Sequence, residues 1–239
     1  SSLSPKQCTI LENLPLFNEE LKDCLPLLLK QAKTKEFSKG NRVFNLGDDA
    51  NYYYIILEGW VKSYLYTTEG KEAISRLSTT GDCFGEAAVL QRGCYTYYAE
   101  SLSPTLVCYL EGSTIRTLAK TYPSLMMSMF QASLNQAEVL HLHAEHMANL
   151  TTSQRIGCFF LKLCRQSPHS PITEVLPFDK NTLATYLGMT PETFSRSLKS
   201  LSYQGVKMTN TEVFISYSEQ LKSFVCSHCS KNSESCLTE

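Results

Sequence analysis

The chain has 239 residues, 43% of them hydrophobic, and a formal net charge of −1. That is enough apolar side chain for one large core or two smaller ones. No run of 18 or more apolar residues is present, which argues against a membrane helix, and the near-zero charge gives no sign of bulk polyanion binding.

The charge is nevertheless uneven. Residues 1–150 carry 13 Lys and Arg against 16 Asp and Glu, whereas residues 151–225 carry 8 against 5. Any contact with phosphate is therefore expected in the C-terminal part. The ten cysteines have no basic-then-apolar leader before them, so a cytoplasmic protein with free thiols is expected rather than a disulfide framework.

Along the chain, Ser4-Pro5 marks a helix start, and Leu21, Cys24, Leu25, Leu28 and Leu29 repeat at helical spacing. From Phe37 to about Leu110 the texture is that of strands. Runs such as Tyr52–Leu57 and Trp60–Tyr66 alternate with turn-like Glu58-Gly59, Glu69-Gly70 and Gly81-Asp82, the rhythm of a small antiparallel barrel or roll. Pro123 opens a long helix. Met126, Phe130, Ser133, Ala137, Leu140, Ala144 and Met147 recur at alternating steps of four and three, a coiled-coil-like seam of roughly 39 Å at 1.5 Å per residue. Polar residues such as Gln131, Asn135, Glu138 and Glu145 flank it, so the expected use is a homodimer interface.

A further helix over 153–165 turns Ile156, Phe159, Phe160 and Leu163 inward. After a Ser/Pro loop come two short helices split by Gly188, then strand-like runs over 205–209 and 213–217. The tail from Cys226 is polar and Ser-rich and is expected to be loosely ordered. The expected domains are a sensor roll with its helices over 1–122, a dimerisation helix over 123–150, a winged helix-turn-helix over 151–225 and a Cys-containing tail over 226–239.

Residues 180–201 carry the clearest functional pattern. Leu183, Ala184 and Leu187 form one face of a short helix, and Gly188-Met189 supplies a turn. Thr190 is a good N-cap and Pro191 a good first residue for a second helix. That helix presents Glu192, Ser195 and Arg196 on one face near its N-terminus, with Thr193 beside them and Lys199 one turn on. Arg can bond guanine O6 and N7 together, Glu can accept from cytosine N4, and Lys199 is placed for backbone phosphate. The partner this predicts is double-stranded DNA.

The order of roll, long helix and helix-turn-helix, together with Leu187–Arg196 and its E-x-x-S-R pattern, resembles the CRP/FNR family of transcription regulators. It is closest to the FNR-like branch and its nitric-oxide-responsive members. The resemblance covers roughly residues 15–222. It implies an α+β fold with an N-terminal cyclic-nucleotide-binding-type β-roll. It also implies that Glu192, Ser195 and Arg196 read a TTGAT-like half-site, a dimer on a near-palindromic operator, and contact with RNA polymerase. Pro191 stands where the cAMP-responsive branch has a guanine-reading Arg.

For the sensor, the resemblance places an effector pocket at Glu86, Tyr95 and Thr96. The cAMP-binding branch requires an Arg-Ser pair where this chain has Tyr95-Thr96. A cyclic phosphate without a cation is poorly held, which argues against cAMP. A redox, oxygen or nitric oxide signal is the remaining expectation. The oxygen-sensing branch binds an iron–sulfur cluster through closely spaced N-terminal cysteines, but only Cys8 and Cys24 lie near the N-terminus. Cys226, Cys229 and Cys236, with His228, could hold an iron–sulfur cluster or zinc, or could bind nothing. His141, His143 and His146 on the long helix leave haem open as well. No P-loop, G-x-S-x-G, H-E-x-x-H or G-x-G-x-x-G occurs, and residues 37–110 contain no His, so an enzyme is not expected. The competing function is a metal- or thiol-sensing interaction module with a β-roll and no specific DNA target.

Overall fold

The computed structural model describes residues 3–12, 14, 21–91, 93–166, 171–216 and 218–230. The chain forms two compact units, Ser1–Ala137 and Glu138–Thr238.

The first unit opens with helices α1 (Pro5–Glu12) and α2 (Leu25–Gln31), which bury Leu11, Leu21, Cys24 and Leu28. Eight strands follow: β1 (Lys33–Phe37), β2 (Arg42–Phe44), β3 (Tyr52–Glu58), β4 (Trp60–Tyr66), β5 (Glu72–Thr79), β6 (Cys83–Phe84), β7 (Tyr98–Ser101) and β8 (Thr105–Glu111), with a short helix α3 (Ala87–Leu90) after β6. They make two antiparallel four-stranded sheets, ordered β1-β8-β3-β6 and β2-β7-β4-β5. The continuous apolar run Tyr53–Leu57 of β3 is buried along its whole length. Helix α4 (Gly112–Thr121) and the first half of α5 (Pro123–Asn149) complete the unit. Leu125 and Met129 of α5 join Phe44, Ile55, Val107 and Ile115 in the core.

The second unit holds the rest of α5, then α6 (Thr152–Gln166), β9 (Ile172–Val175), α7 (Lys180–Tyr186), α8 (Pro191–Leu201), β10 (Val206–Thr209), β11 (Glu212–Ile215), α9 (Ser218–Phe224) and α10 (Ser227–Ser230). Strands pair in the order β10-β11-β9. The β10–β11 hairpin turns at Asn210, whose φ of 49° is one that Asn tolerates better than most residues. This hairpin is the wing expected from the sequence; β9 is an additional strand that closes it on one side. Among the described residues no helix is long and apolar enough to cross a membrane.

Residues 226–230, the described part of the tail, depart from the expectation of loose order, and the rest of the tail lies outside the described residues. Residues 227–230 form α10, and Cys229 is buried. A Ser-rich sequence hid this, because the burial comes from packing against α6 and α9 rather than from any periodicity of its own.

Gly59 shows how tightly the roll's turns are specified. Its φ is +96°, and a Cβ there would lie 2.5 Å from the Pro104 carbonyl oxygen and 2.8 Å from the Thr105 Cα. Gly59→Ala is expected to destabilise the first unit by about 1–3 kcal/mol or more, read as a lowered denaturation midpoint. An unchanged midpoint would mean that the β3–β4 turn relaxes without cost.

Candidate functional site

The face expected to read DNA is built by two capped helices. Asp179 caps α7, its carboxylate accepting from the Thr182 N–H at 2.9 Å. Thr190 caps α8, its Oγ1 accepting from the Thr193 N–H at 3.2 Å, and Pro191 occupies the first turn. Both caps satisfy donors that a helix start leaves open. On α8, Phe194, Ser197, Leu198 and Leu201 are buried. Glu192, Ser195, Arg196 and Lys199 are exposed, at the i, i+3, i+4 and i+7 positions of the opposite face. Thr193 is half-buried, and its Oγ1 accepts from Arg196 Nη2 at 3.4 Å. The Glu192 carboxyl is held below the ordinary carboxylate range. Its own backbone N–H contributes most, then the Thr190 hydroxyl, with the Arg196 charge adding to them. The helix start therefore presents an anionic acceptor and a cation one turn apart, with no apolar cover over either.

The turn between α7 and α8 is held by a residue that pattern reading missed. Arg155 of α6 donates from Nη1 to the Leu187 carbonyl at 2.7 Å, and its Nη1 lies 3.0 Å from Met147 Sδ. Helix α6 also contacts α8 directly, through Thr152–Ser197 hydroxyls at 2.6 Å and Ser153–Ser200 hydroxyls at 2.9 Å. These residues are polar and unremarkable in sequence; only their placement across the α6–α8 interface gives them a role.

The residues expected to line an effector pocket lie in different surroundings. Tyr95 is buried, its ring stacked on Phe44 with centroids 3.7 Å apart. Its hydroxyl donates to the Tyr52 carbonyl at 2.7 Å and accepts from the Tyr52 N–H at 3.1 Å. The Gly85 N–H donates to the Tyr97 hydroxyl at 3.2 Å. Thr96 is exposed. Glu86 Oε1 is buried without a hydrogen-bond partner. Burial pushes the Glu86 carboxyl up, with the Arg76 guanidinium acting in the opposite direction. Arg76 itself donates to the Cys83 carbonyl at 3.1 Å and lies 3.7 Å from Asp82 Oδ1.

On α5, Phe130, Ala137, Leu140 and Ala144 of the expected seam are exposed, joined by Met127 and Leu134. Met126 packs against the roll's core, and Met147 lies against Arg155. Cys226 and Cys229 come together with His146 of α5 and Cys158 of α6. Cys236 and the His228 side chain lie outside the described residues. His141 is exposed. His143 stacks on Tyr186, centroids 4.6 Å apart, and burial lowers its pKa to about 4.

Two family models match this chain in tandem: a cyclic nucleotide-binding domain over residues 34–122 and a Crp-like helix-turn-helix domain over residues 154–224. The chain belongs to the CRP/FNR family of transcription regulators. It is 27% identical over 215 residues to a probable transcriptional regulator flp of Lacticaseibacillus casei, covering 88% of this chain and 95% of that protein. It is also 27% identical over 196 residues to the fumarate and nitrate reduction regulatory protein of Escherichia coli, covering 77% of this chain and 78% of that one. The solved structure of FixK2 from Bradyrhizobium japonicum shares the fold, with a TM-score of 0.74 at 21% identity, over 82% of this chain and 98% of that one. Within this CRP/FNR chain, the cyclic nucleotide-binding-type roll is thus present, with Tyr95 buried in its core.

The Glu86 geometry has a pH consequence. A carboxyl whose folded pKa is raised favours its neutral form in the fold. Its contribution is present below the ordinary value of 4.5 and is lost as pH rises through the folded value. Glu86→Gln keeps the shape without the charge. The variant is expected to melt above the parent at pH 7, with the difference closing toward pH 4. Equal midpoints at pH 7 would show that Arg76 fully offsets the burial.

Proposed function

We propose that this regulator binds a near-palindromic operator with TTGAT-like half-sites as a homodimer, in the cytoplasm, acting through RNA polymerase. One observation carries the reading: Glu192, Ser195 and Arg196 stand exposed on the N-terminal face of the capped helix α8. A major groove admits such a helix N-terminus first, where Arg196 can take guanine O6 and N7 and Glu192 a cytosine amine. Thr190, Thr193 and Lys199 are placed for the flanking phosphates. The exposed apolar residues Met127, Phe130, Leu134 and Leu140 support α5 as the dimer seam, since a stripe of this kind costs free energy when left in water.

The signal is of a redox, oxygen or nitric oxide type. Two observations support this. Tyr95, which stands where the cAMP-binding branch has an Arg, is buried and bonded to Tyr52, and the relatives of this chain include the fumarate and nitrate reduction proteins.

Footprinting on an operator with two TTGAT-like half-sites tests the DNA reading. Arg196→Ala removes a bidentate base contact worth about 1–3 kcal/mol per half-site. Specific affinity is expected to fall roughly tenfold or more, with weak non-specific binding retained. An unchanged footprint would remove α8 as the reading helix. Leu140→Glu places a charge in the seam and is expected to give monomers in sedimentation velocity. A dimeric variant would move the interface off this face.

A further inference from the structure

The last turn of α5, the middle of α6 and the start of the C-terminal segment converge on one point in the second unit. His146, Cys158, Cys226 and Cys229 each direct one donor atom there, and all four atoms lie within 4.8 Å of one another. Cys158 Sγ is 3.6 Å from Cys226 Sγ, and Cys226 Sγ is 3.5 Å from His146 Nε2. A single tetrahedral zinc with Zn–S near 2.3 Å and Zn–N near 2.0–2.1 Å would set sulfur–sulfur edges of about 3.8 Å and sulfur–nitrogen edges of about 3.6 Å. We propose that His146, Cys158, Cys226 and Cys229 bind one zinc ion in a closed Cys3His site that pins α10 to the DNA-binding unit.

The surroundings fit that occupant. The Cys229 N–H donates to Cys226 Sγ at 3.3 Å, as a Cys-x-x-Cys turn does when it relieves charge on a thiolate. Three thiolates on a dication leave one negative charge, and Arg155 and Lys162 line the same cavity. Gly157 lies inside α6 beside Cys158. A Cβ there would sit 2.9 Å from Val225 Cγ1, so the absence of a side chain is what lets Val225, and Cys226 after it, approach α6 this closely. Thiolate and imidazole together suit zinc among the common divalent ions.

A cubane iron–sulfur cluster fits less well. Each of its thiolates binds a different iron, so the ligand sulfurs are held apart by the body of the cluster rather than by one ion. Four donors also complete a structural zinc site, which gives Cys236 no place in it. The same α6 that supplies Cys158 bonds to α8 through Thr152 and Ser153. The ion would therefore brace, from behind, the helix that supports the reading face.

The full chain, purified without chelator from medium supplied with both zinc and iron, tests this by elemental and acid-labile sulfide analysis. About one zinc per chain and no sulfide are expected. Cys229→Ser and His146→Gln are expected to lower zinc well below stoichiometry, whereas Cys236→Ser and the exposed Cys94→Ser keep it. Cobalt(II) added to the zinc-depleted parent is expected to give the visible bands of a tetrahedral thiolate site, a readout that does not depend on a variant folding. Iron with matching sulfide, metal loss in Cys236→Ser, or a parent that takes up neither zinc nor cobalt would each overturn the proposal. The measurements use no DNA, so they stand or fall apart from the operator reading.

Discussion

Burial of Phe194, Leu198 and Leu201 is the constraint on which the geometry of α8 depends. These three side chains take one face of α8 out of water. An α-helix has a fixed angular step, so fixing one face inward fixes the opposite one outward. Glu192, Ser195 and Arg196 are exposed for that reason, and the Thr190 cap then sets where the helix begins. The hydroxyl pairs from α6 and the Arg155 bond to the Leu187 carbonyl add direction to what apolar burial alone would leave free to slide. Polar bonds of this kind contribute little net stability, yet leaving their buried partners unmade is costly, so they select one orientation.

The sensor roll uses the same economy in the opposite sense. A pocket that binds a cyclic nucleotide must offer unsatisfied donors and a cation. Here the candidate donors are spent internally: the Gly85 N–H on Tyr97, and both hydrogen-bonding capacities of the Tyr95 hydroxyl on Tyr52. Tyr95 also stacks on Phe44. Glu86 is the residue left out of this settlement, with one buried oxygen unpaired and its carboxyl pushed toward the neutral form. Glu86, Tyr95 and Thr96, which the resemblance groups, stand here as a half-buried carboxyl, a core aromatic and an exposed hydroxyl.

Much of this was legible in the sequence because it is local. Turn glycines, the Thr190-Pro191 helix start and the apolar face of α8 are set by neighbours within a few residues. The wing hairpin was visible as two strand-like runs, but β9 was not, since its partner β11 lies about forty residues away in chain order. The thiol group shows the limit most clearly. Cys226 and Cys229 are paired by a short spacing that any reader notices. His146 looked like one of three surface histidines on a long helix, and Cys158 like an ordinary core thiol. Nothing in a linear pattern joins positions 146, 158 and 226; only the packing of α5, α6 and α10 does.

The long helix adds a last physical point. The seam was read at a strict mean period of 3.5 residues, whereas an α-helix that is not supercoiled turns every 3.6 and drifts by about 20° per heptad. Over the three heptads from Met126 to Met147 that amounts to roughly 60°. Phe130, Ala137, Leu140 and Ala144 face water and Ser133 is half-buried, while Met126 packs against the roll's core and Met147 lies against Arg155. Pairing two such helices with a left-handed supercoil would cancel the drift and lengthen the shared stripe at both ends. Dimerisation would then do more than cover Phe130 and Leu140. It would rotate the end of α5 that carries Met147, and Met147 lies against Arg155, the residue that holds the turn before the reading helix.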